Sequence, residues 1–322
     1  MSDLNIAERR VPQDGRLQMR LMGRPIDFRV STLPTQFGES VVLRVLDRTT
    51  VSLELEKIGM AQDIYEQFTQ DIKKPNGIII VTGPTGCGKT TTLYSALRRI
   101  NTIESKLLTV EDPVEYDIEG IIQVQVNEAI HVTFSRMLRS FLRQDPDIIM
   151  IGEIRDLETA EIAVQASLTG HLVFTTLHTN DSAGAITRLI DMDVEPFLIS
   201  STLETIFAQR LVRSICKHCK VKYMPDKKLL DRLNLSRNMV AGRPFYYGKG
   251  CSQCHNSGYK GRRGIFEYMA ITPAIRALIN ERKPTVMIRS KAVEEGMRLL
   301  RDDGIRNLFD GNTTAEEILT YT

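Results

Sequence analysis

Gly83-Pro84-Thr85-Gly86-Cys87-Gly88-Lys89-Thr90 is a complete G-x-x-x-x-G-K-[ST] phosphate loop, and its flanks have the matching grammar. Before it, Gly77-Ile78-Ile79-Ile80-Val81-Thr82 reads as a short buried strand. After it, Thr91-Thr92-Leu93-Tyr94-Ser95-Ala96-Leu97 reads as a helix. Glycines let the backbone curl until successive N–H groups face an anion, and the following helix adds its positive dipole end. Lys89 is expected to reach the β- and γ-phosphates, and the Thr90 hydroxyl to hold Mg²⁺. The nucleotide contacts are therefore assigned to residues 83–91, from Gly83 through Thr91. A bound nucleoside triphosphate is the implied ligand.

The rest of the chain supplies what such a loop needs. With 322 residues there is room for two or three domains with their own cores. Lys+Arg 42 against Asp+Glu 40 leaves a net charge of +2, and there is no Trp, so a nucleic-acid partner is not expected. No run approaches the length of a membrane span and the start is not a signal peptide. A cytoplasmic protein without direct membrane insertion is the expectation.

Residues 1–55 are expected to form a β-rich, incomplete domain with strands near 16–21, 26–30 and 40–46. A helix is expected over 59–72. From there strands at 77–82, 106–111, 121–126, 147–152 and 171–176 alternate with helices, which implies a mainly parallel sheet covered on both faces. The fold class is thus α/β over 56–212, followed by a strand-poor, cysteine-bearing subdomain at 213–263 and a helical region at 264–322.

A phosphate loop needs an acid to organise metal and water. Asp147-Ile148-Ile149-Met150-Ile151-Gly152-Glu153 is an apolar strand ending in a carboxylate, and Glu153 is assigned to polarising water or holding the Mg²⁺ shell. After another strand come Glu111, Asp112 and Glu115, at the edge where open α/β sheets bind ligands. Glu111 and Asp112 are the candidates for a metal or water contact; Glu115 reads equally as solvated. His171 and His178 frame the next strand; either is a core hydrogen-bonding group, or His178 senses the γ-phosphate. Residues 134–143 have an amphipathic helical pattern with Arg136, Arg139 and Arg143 off the apolar face. Such a row is either a solvated face or a set of cations reaching a phosphate across a subunit boundary.

Cys216-x-x-Cys219 and Cys251-x-x-Cys254 form two knuckles that together give the closed tetrahedral ligand set of structural zinc. Redox dithiols are the alternative, and His218 and His255 lie close enough in sequence to substitute for a thiolate. The fifth cysteine, Cys87, sits at a helix N-terminus. That position is expected to lower its thiol pKa, so that alkylation blocks nucleotide binding and ATP protects.

Taken together these segments resemble the GspE/PulE/PilB family of secretion ATPases, which drive type II secretion and type IV pilus assembly. The resemblance spans the chain: Val30-Ser31-Thr32-Leu33-Pro34, the phosphate loop, residues 110–116, Leu142-Arg143-Gln144-Asp145-Pro146-Asp147 through Gly152-Glu153-Ile154-Arg155-Asp156, and residues 170–180. It implies a RecA-like, Mg²⁺-dependent ATPase working as a homo-hexamer. It implies arginines approaching the phosphates at Arg29, Arg44, Arg139 and Arg143, an acidic box at Glu111, Asp112 and Glu115, a Walker B glutamate at Glu153, and a histidine box at His171 and His178. The zinc knuckles resemble those of secretion and pilus-extension members. Cys87 stands where the family usually has serine. The chain also starts inside the family pattern, so recruitment to the membrane is expected through partners, including an inner-membrane platform protein. A RecA-like nucleic-acid translocase or DNA-uptake motor is the competing class, and a regulator that senses ATP without hydrolysing it is a third.

Overall fold

Every residue of 77–82 is buried, and alternate side chains of this strand serve two different cores. Ile78 and Ile80 pack on one face of the sheet, Ile79 and Val81 on the other, as the two-residue period of a strand dictates. In the computed structural model, residues 2, 4–21, 24–46, 53–240 and 242–322 are described. They divide into two compact units, Met1–Ser52 and Leu53–Thr322.

The smaller unit is an antiparallel meander of β1 (Gln13–Leu21), β2 (Arg24–Thr35) and β3 (Gly38–Leu46). Its register sets Arg29 opposite Arg16 on one side and Arg44 on the other, a row of three cations across the sheet. Like charges directly opposite one another repel across a sheet. Residues 47–52, inside the division expected over 1–55, lie outside the described residues.

The larger unit begins with α1 (Gln62–Asp71) and β4 (Gly77–Thr82), then α2 (Lys89–Ile100), β5 (Leu107–Glu111), β6 (Ile121–Gln125), α3 (Phe134–Phe141) and β7 (Ile148–Ile151). It continues through α4 (Leu157–Leu168), β8 (Leu172–Leu177), α5 (Ser182–Asp191), α6 (Pro196–Thr202) and β9 (Leu203–Ile215). The chain then forms β10 (Lys220–Tyr223), α7 (Lys227–Arg232), α8 (Arg237–Val240), β11 (Phe245–Gly248) and β12 (Tyr259–Ala270). Four helices close it: α9 (Pro273–Asn280), α10 (Thr285–Glu294), α11 (Leu300–Phe309) and α12 (Ala315–Tyr321).

The seven-stranded sheet runs β12-β9-β4-β8-β7-β5-β6. All neighbours are parallel except β12, which pairs antiparallel with β9. β4 and its sequence-distant neighbours β8 and β9 fill the centre, so the phosphate loop leaves from the middle of the sheet. This is the α/β class the alternation of strands and helices implied.

The expected boundaries at 212/213 and 263/264 both fall inside strands, because β9 and β12 run on past them as one ladder. The segment between is not strand-poor either: it holds the β10–β11 pair. Its apolar residues Leu230, Leu233, Val240 and Phe245 share a core with Val212 and Ile265 of the ladder and with Leu300, Leu308 and Ile318 of the last helices. Among the described residues, no helix is long and apolar enough to cross a membrane.

Candidate functional site

The loop of residues 83–88 joins β4 to α2 through three glycines with positive φ. At Gly83, with φ 149°, a Cβ would stand 2.6 Å from the Gln209 carbonyl oxygen and from Cys87 Sγ, so no side chain fits. Gly88 caps α2 in the left-handed region. The helix then starts at Lys89, whose Nζ donates to the carbonyls of Gly83 at 2.9 Å and Pro84 at 3.2 Å. Burial lowers the Lys89 pKa, and the Glu153 carboxylate is among the charges that oppose this. Thr90 and Thr91 follow in the first helical turn, half-buried.

Cys87 corrects an expectation. Its side chain is 4% exposed, and burial pushes the thiol pKa up, not down, with the Lys89 and Arg210 cations opposing. A helix N-terminus favours a thiolate only if the sulfur is solvated or paired; here desolvation is the larger effect.

Glu153 stands two residues beyond β7, on the edge shared with the loop. His178 stands one beyond β8. The two strands are in parallel register, Ile151 opposite Thr175, and this brings His178 Nε2 to 3.0 Å from Glu153 Oε2. Thr176 Oγ1 donates to the Gly152 carbonyl at 2.7 Å and fixes the bend that presents the glutamate. Arg155 donates to the other carboxylate oxygen and lies 3.6 Å from Asp112, so it links Glu153 to the acidic segment after β5. Arg155 belongs to the Gly152-Glu153-Ile154-Arg155-Asp156 motif, and its spacing of two from Glu153 is the sequence signal for this contact.

The other acidic residue is placed differently. Glu111, the last residue of β5, is 3% exposed and accepts from Tyr94 Oη, from Thr109 Oγ1 at 2.6 Å and from Gln123 Nε2 at 3.1 Å. Burial raises its pKa despite these donors. Glu115 holds its backbone N–H 3.3 Å from the same Tyr94 hydroxyl. His171 lies at the opposite end of β8 from the loop, its Nδ1 2.8 Å from the Ala166 carbonyl. The two histidines therefore do not share a site.

Arg139 and Arg143 lie on the exposed side of α3 and just past its end. Phe134, Leu138 and Phe141 of the same helix are buried. Arg139 pairs with Glu158 at 2.6 Å, and Arg143 donates to the Arg139 carbonyl at 2.7 Å. Arg29 and Arg44 belong to the smaller unit, in the cross-strand row described above.

The four cysteines of the knuckles converge. Cys216 follows β9 directly and Cys251–Cys254 precede β12, so the ladder itself delivers both pairs to one place. All four Sγ atoms lie within 4.8 Å of one another, with Cys216–Cys251 and Cys219–Cys254 at 3.9 Å and Cys251–Cys254 at 3.7 Å. Four Zn–S bonds of about 2.3 Å in a tetrahedron separate the sulfurs by about 3.8 Å, so the set fits zinc. The Cys251 N–H also donates to Cys254 Sγ at 3.2 Å, a contact that favours a thiolate there. Four protein ligands leave no open position, which suits a structural ion.

For magnesium the available donors are the Thr90 hydroxyl and the Glu153 carboxylate, hard oxygen ligands of the kind that ion takes.

Residues 1–320 match the family model described as Type II/IV secretion system protein. The chain is 52% identical over 322 residues to type II secretion system protein HxcR of Pseudomonas aeruginosa, covering 100% of this chain and 65% of that protein. To the type IV pilus assembly ATPase PilB of Thermus thermophilus it is 51% identical over 322 residues, covering 36% of PilB. The chain thus spans less than two thirds of the length of these curated relatives. Among solved structures, the pilus retraction motor PilT with bound ADP matches with a TM-score of 0.71 at 27% identity, over 97% of this chain and 78% of PilT. The chain belongs to the type II/IV secretion system protein family.

Proposed function

We propose that this chain is the ATP-hydrolysing part of a ring-shaped motor that powers type II protein secretion or type IV pilus assembly. The observation that carries the reading is the convergence, at one end of β4, β7 and β8, of the phosphate loop with Glu153 and His178. Similarity to HxcR and PilB names the two pathways.

The polyphosphate of ATP lies in the loop, against its N–H groups and the start of α2. Lys89 exchanges its two carbonyl acceptors for phosphate oxygens; a buried ammonium with a lowered pKa gains most from an anionic partner. Thr90 holds the magnesium ion, which when bound offsets phosphate charge. Glu153 orients the attacking water and takes its proton, held in place by His178 and Arg155. Arg29, Arg44, Arg139 and Arg143 reach the phosphates within a homo-hexamer, and Arg139 gives up Glu158 to do so. Cations placed this way are worth about 10³–10⁵ in rate in other phosphoryl-transfer enzymes. The four cysteines hold a structural zinc. The ring acts from the cytoplasmic side on an inner-membrane platform protein and is peripheral there through its partners.

Phosphate release from ATP by the purified chain tests the chemistry. It is expected to need Mg²⁺ and to vanish in Lys89→Ala; magnesium-independent release, or release that survives Lys89→Ala, would reject it. For the pathway, the Glu153→Gln form is captured from gently solubilised membranes with ATP and its companions identified by mass spectrometry. A polytopic platform protein with secretion components means export, and pilins with pilus-alignment proteins mean fibre extension. Recovery of nucleic acid or soluble proteins alone would overturn the membrane-motor reading.

A further inference from the structure

Gln209 of β9 is 2% exposed and lies beside the phosphate loop, one residue beyond the Ala208–Thr82 pairing that joins β9 to β4. Its Nε2 donates to the Cys87 carbonyl at 2.7 Å, and its Oε1 accepts from Thr92 Oγ1 at 2.7 Å. Thr92 is itself 1% exposed, in the first turn of α2. One side chain thus ties the loop to the helix that follows it, from a strand more than a hundred positions away in sequence.

The consequence follows from the peptide bond. A trans peptide is planar, with its C=O and the next N–H pointing in opposite directions. Holding the Cys87 carbonyl toward Gln209 therefore turns the Gly88 N–H away from β9. Gly88 lies directly beside this amide: a Cβ there would sit 3.2 Å from Gln209 Nε2. The amide supplies from one side chain both the donor that the Cys87 carbonyl takes and the acceptor that the Thr92 hydroxyl takes, and a buried amide is costly unless both ends are paired. The neighbouring Arg210 extends the same support. It donates to the Gln209 carbonyl at 3.1 Å and to the Asn180 carbonyl at 2.8 Å, two residues past His178.

We propose that Gln209 is a positioning residue for nucleotide binding: it sets the Cys87–Gly88 peptide so that the Gly88 N–H faces the phosphates. The inference rests on the nucleotide reading above and names a part of that site which touches no ligand. A lost donor–acceptor pair at this place weakens ligand binding by about tenfold, while leaving the reacting groups where they are.

The test is the affinity of the chain for a fluorescent methylanthraniloyl-ADP with Mg²⁺, alongside KM and kcat for ATP and the melting temperature. Gln209→Met is expected to bind about tenfold more weakly and to raise KM similarly, with kcat changed by less than about threefold. Thr92→Val, which breaks one bond only, is expected to give a smaller loss in the same direction, restored in Thr92→Ser. The double variant is expected to be no weaker than Gln209→Met, since both act through one amide. Binding within twofold of wild type in a folded Gln209→Met overturns the proposal. If that variant does not fold, wild-type affinity in Thr92→Val overturns it instead. Failure of the nucleotide reading looks different: the wild-type chain and Lys89→Ala would then bind the probe equally poorly.

Discussion

His178 Nε2 lies 3.0 Å from Glu153 Oε2, and the pair is built by adjacent parallel strands ending at the same edge. Neither residue is close to the other in sequence. A carboxylate held from one side by an imidazole and from the other by Arg155 has a fixed orientation before any ligand arrives. The water-positioning role proposed for Glu153 requires such a fixed carboxylate.

Glu153→Gln keeps the shape and the hydrogen bonds to one side but removes the proton acceptor. Hydrolysis is expected to fall by about 10²–10³, while affinity for methylanthraniloyl-ADP stays within about threefold. Steady-state phosphate release and fluorescence titration measure the two separately. Equal losses in both would place Glu153 in binding and leave the chemistry to another group.

Cys87 is expected to be a slow nucleophile. The thiolate is the reactive form, and burial of Cys87 pushes its thiol pKa above the ordinary value, so less of it is ionised at pH 8. Iodoacetamide labelling at that pH, followed by peptide mass spectrometry, is expected to be at least about tenfold slower in the folded chain than in urea. Equal rates would mean the loop opens and exposes the sulfur.

Glu111 is expected to act on stability. Glu111→Ala strands the Tyr94, Thr109 and Gln123 donors in the core and costs about 2–4 kcal/mol, read by urea denaturation. The pH dependence has a definite sign. Burial raises the folded-state pKa, so the folded chain holds this proton more tightly than the unfolded one. Relative to Glu111→Gln, which does not titrate, the wild type gains stability as pH falls through the raised folded value. The gain levels off below the ordinary carboxylate range. A gap between the two chains that stays constant from pH 7 to pH 4 would show that Glu111 does not titrate differently on folding.

The loop, the parallel strands and the cysteine knuckles were legible because each is written locally. A glycine pattern, an apolar run such as 77–82 and a two-residue spacing all act within a few positions. β9 and β12 were not anticipated. Their residues mix apolar and charged side chains, Gln209-Arg210-Leu211 among them, because one stretch lies against the loop and another against the last helices. Gln209 carried no signal of its own, since a glutamine in an unassigned strand gives no hint of a partner 122 residues earlier. The burial of Glu111 was not legible for a related reason: its place beside Asp112 points to a metal or water contact, while the Tyr94 hydroxyl that covers it comes from α2.

The proposed zinc site makes the most demanding prediction, because its four cysteines sit at the ends of the ladder that carries Gln209. Cys216 is the residue after β9, and β12 begins five residues after Cys254, with Tyr259 opposite Ile215. An ion held by the four thiolates would clamp both strands at one end, next to the core that joins Val212 and Ile265 to the C-terminal helices. Cys216→Ser is expected to lower bound zinc from one ion per chain toward zero by elemental analysis and to lower the melting temperature by about 10 °C. Affinity for methylanthraniloyl-ADP is expected to fall by less than in Gln209→Met, since the β4–β9 pairing beside the loop lies away from the clamped end. Full zinc content with an unchanged melting temperature would mean that three thiolates suffice. A larger loss of nucleotide affinity than in Gln209→Met would mean that the clamp, and not the amide, sets the loop.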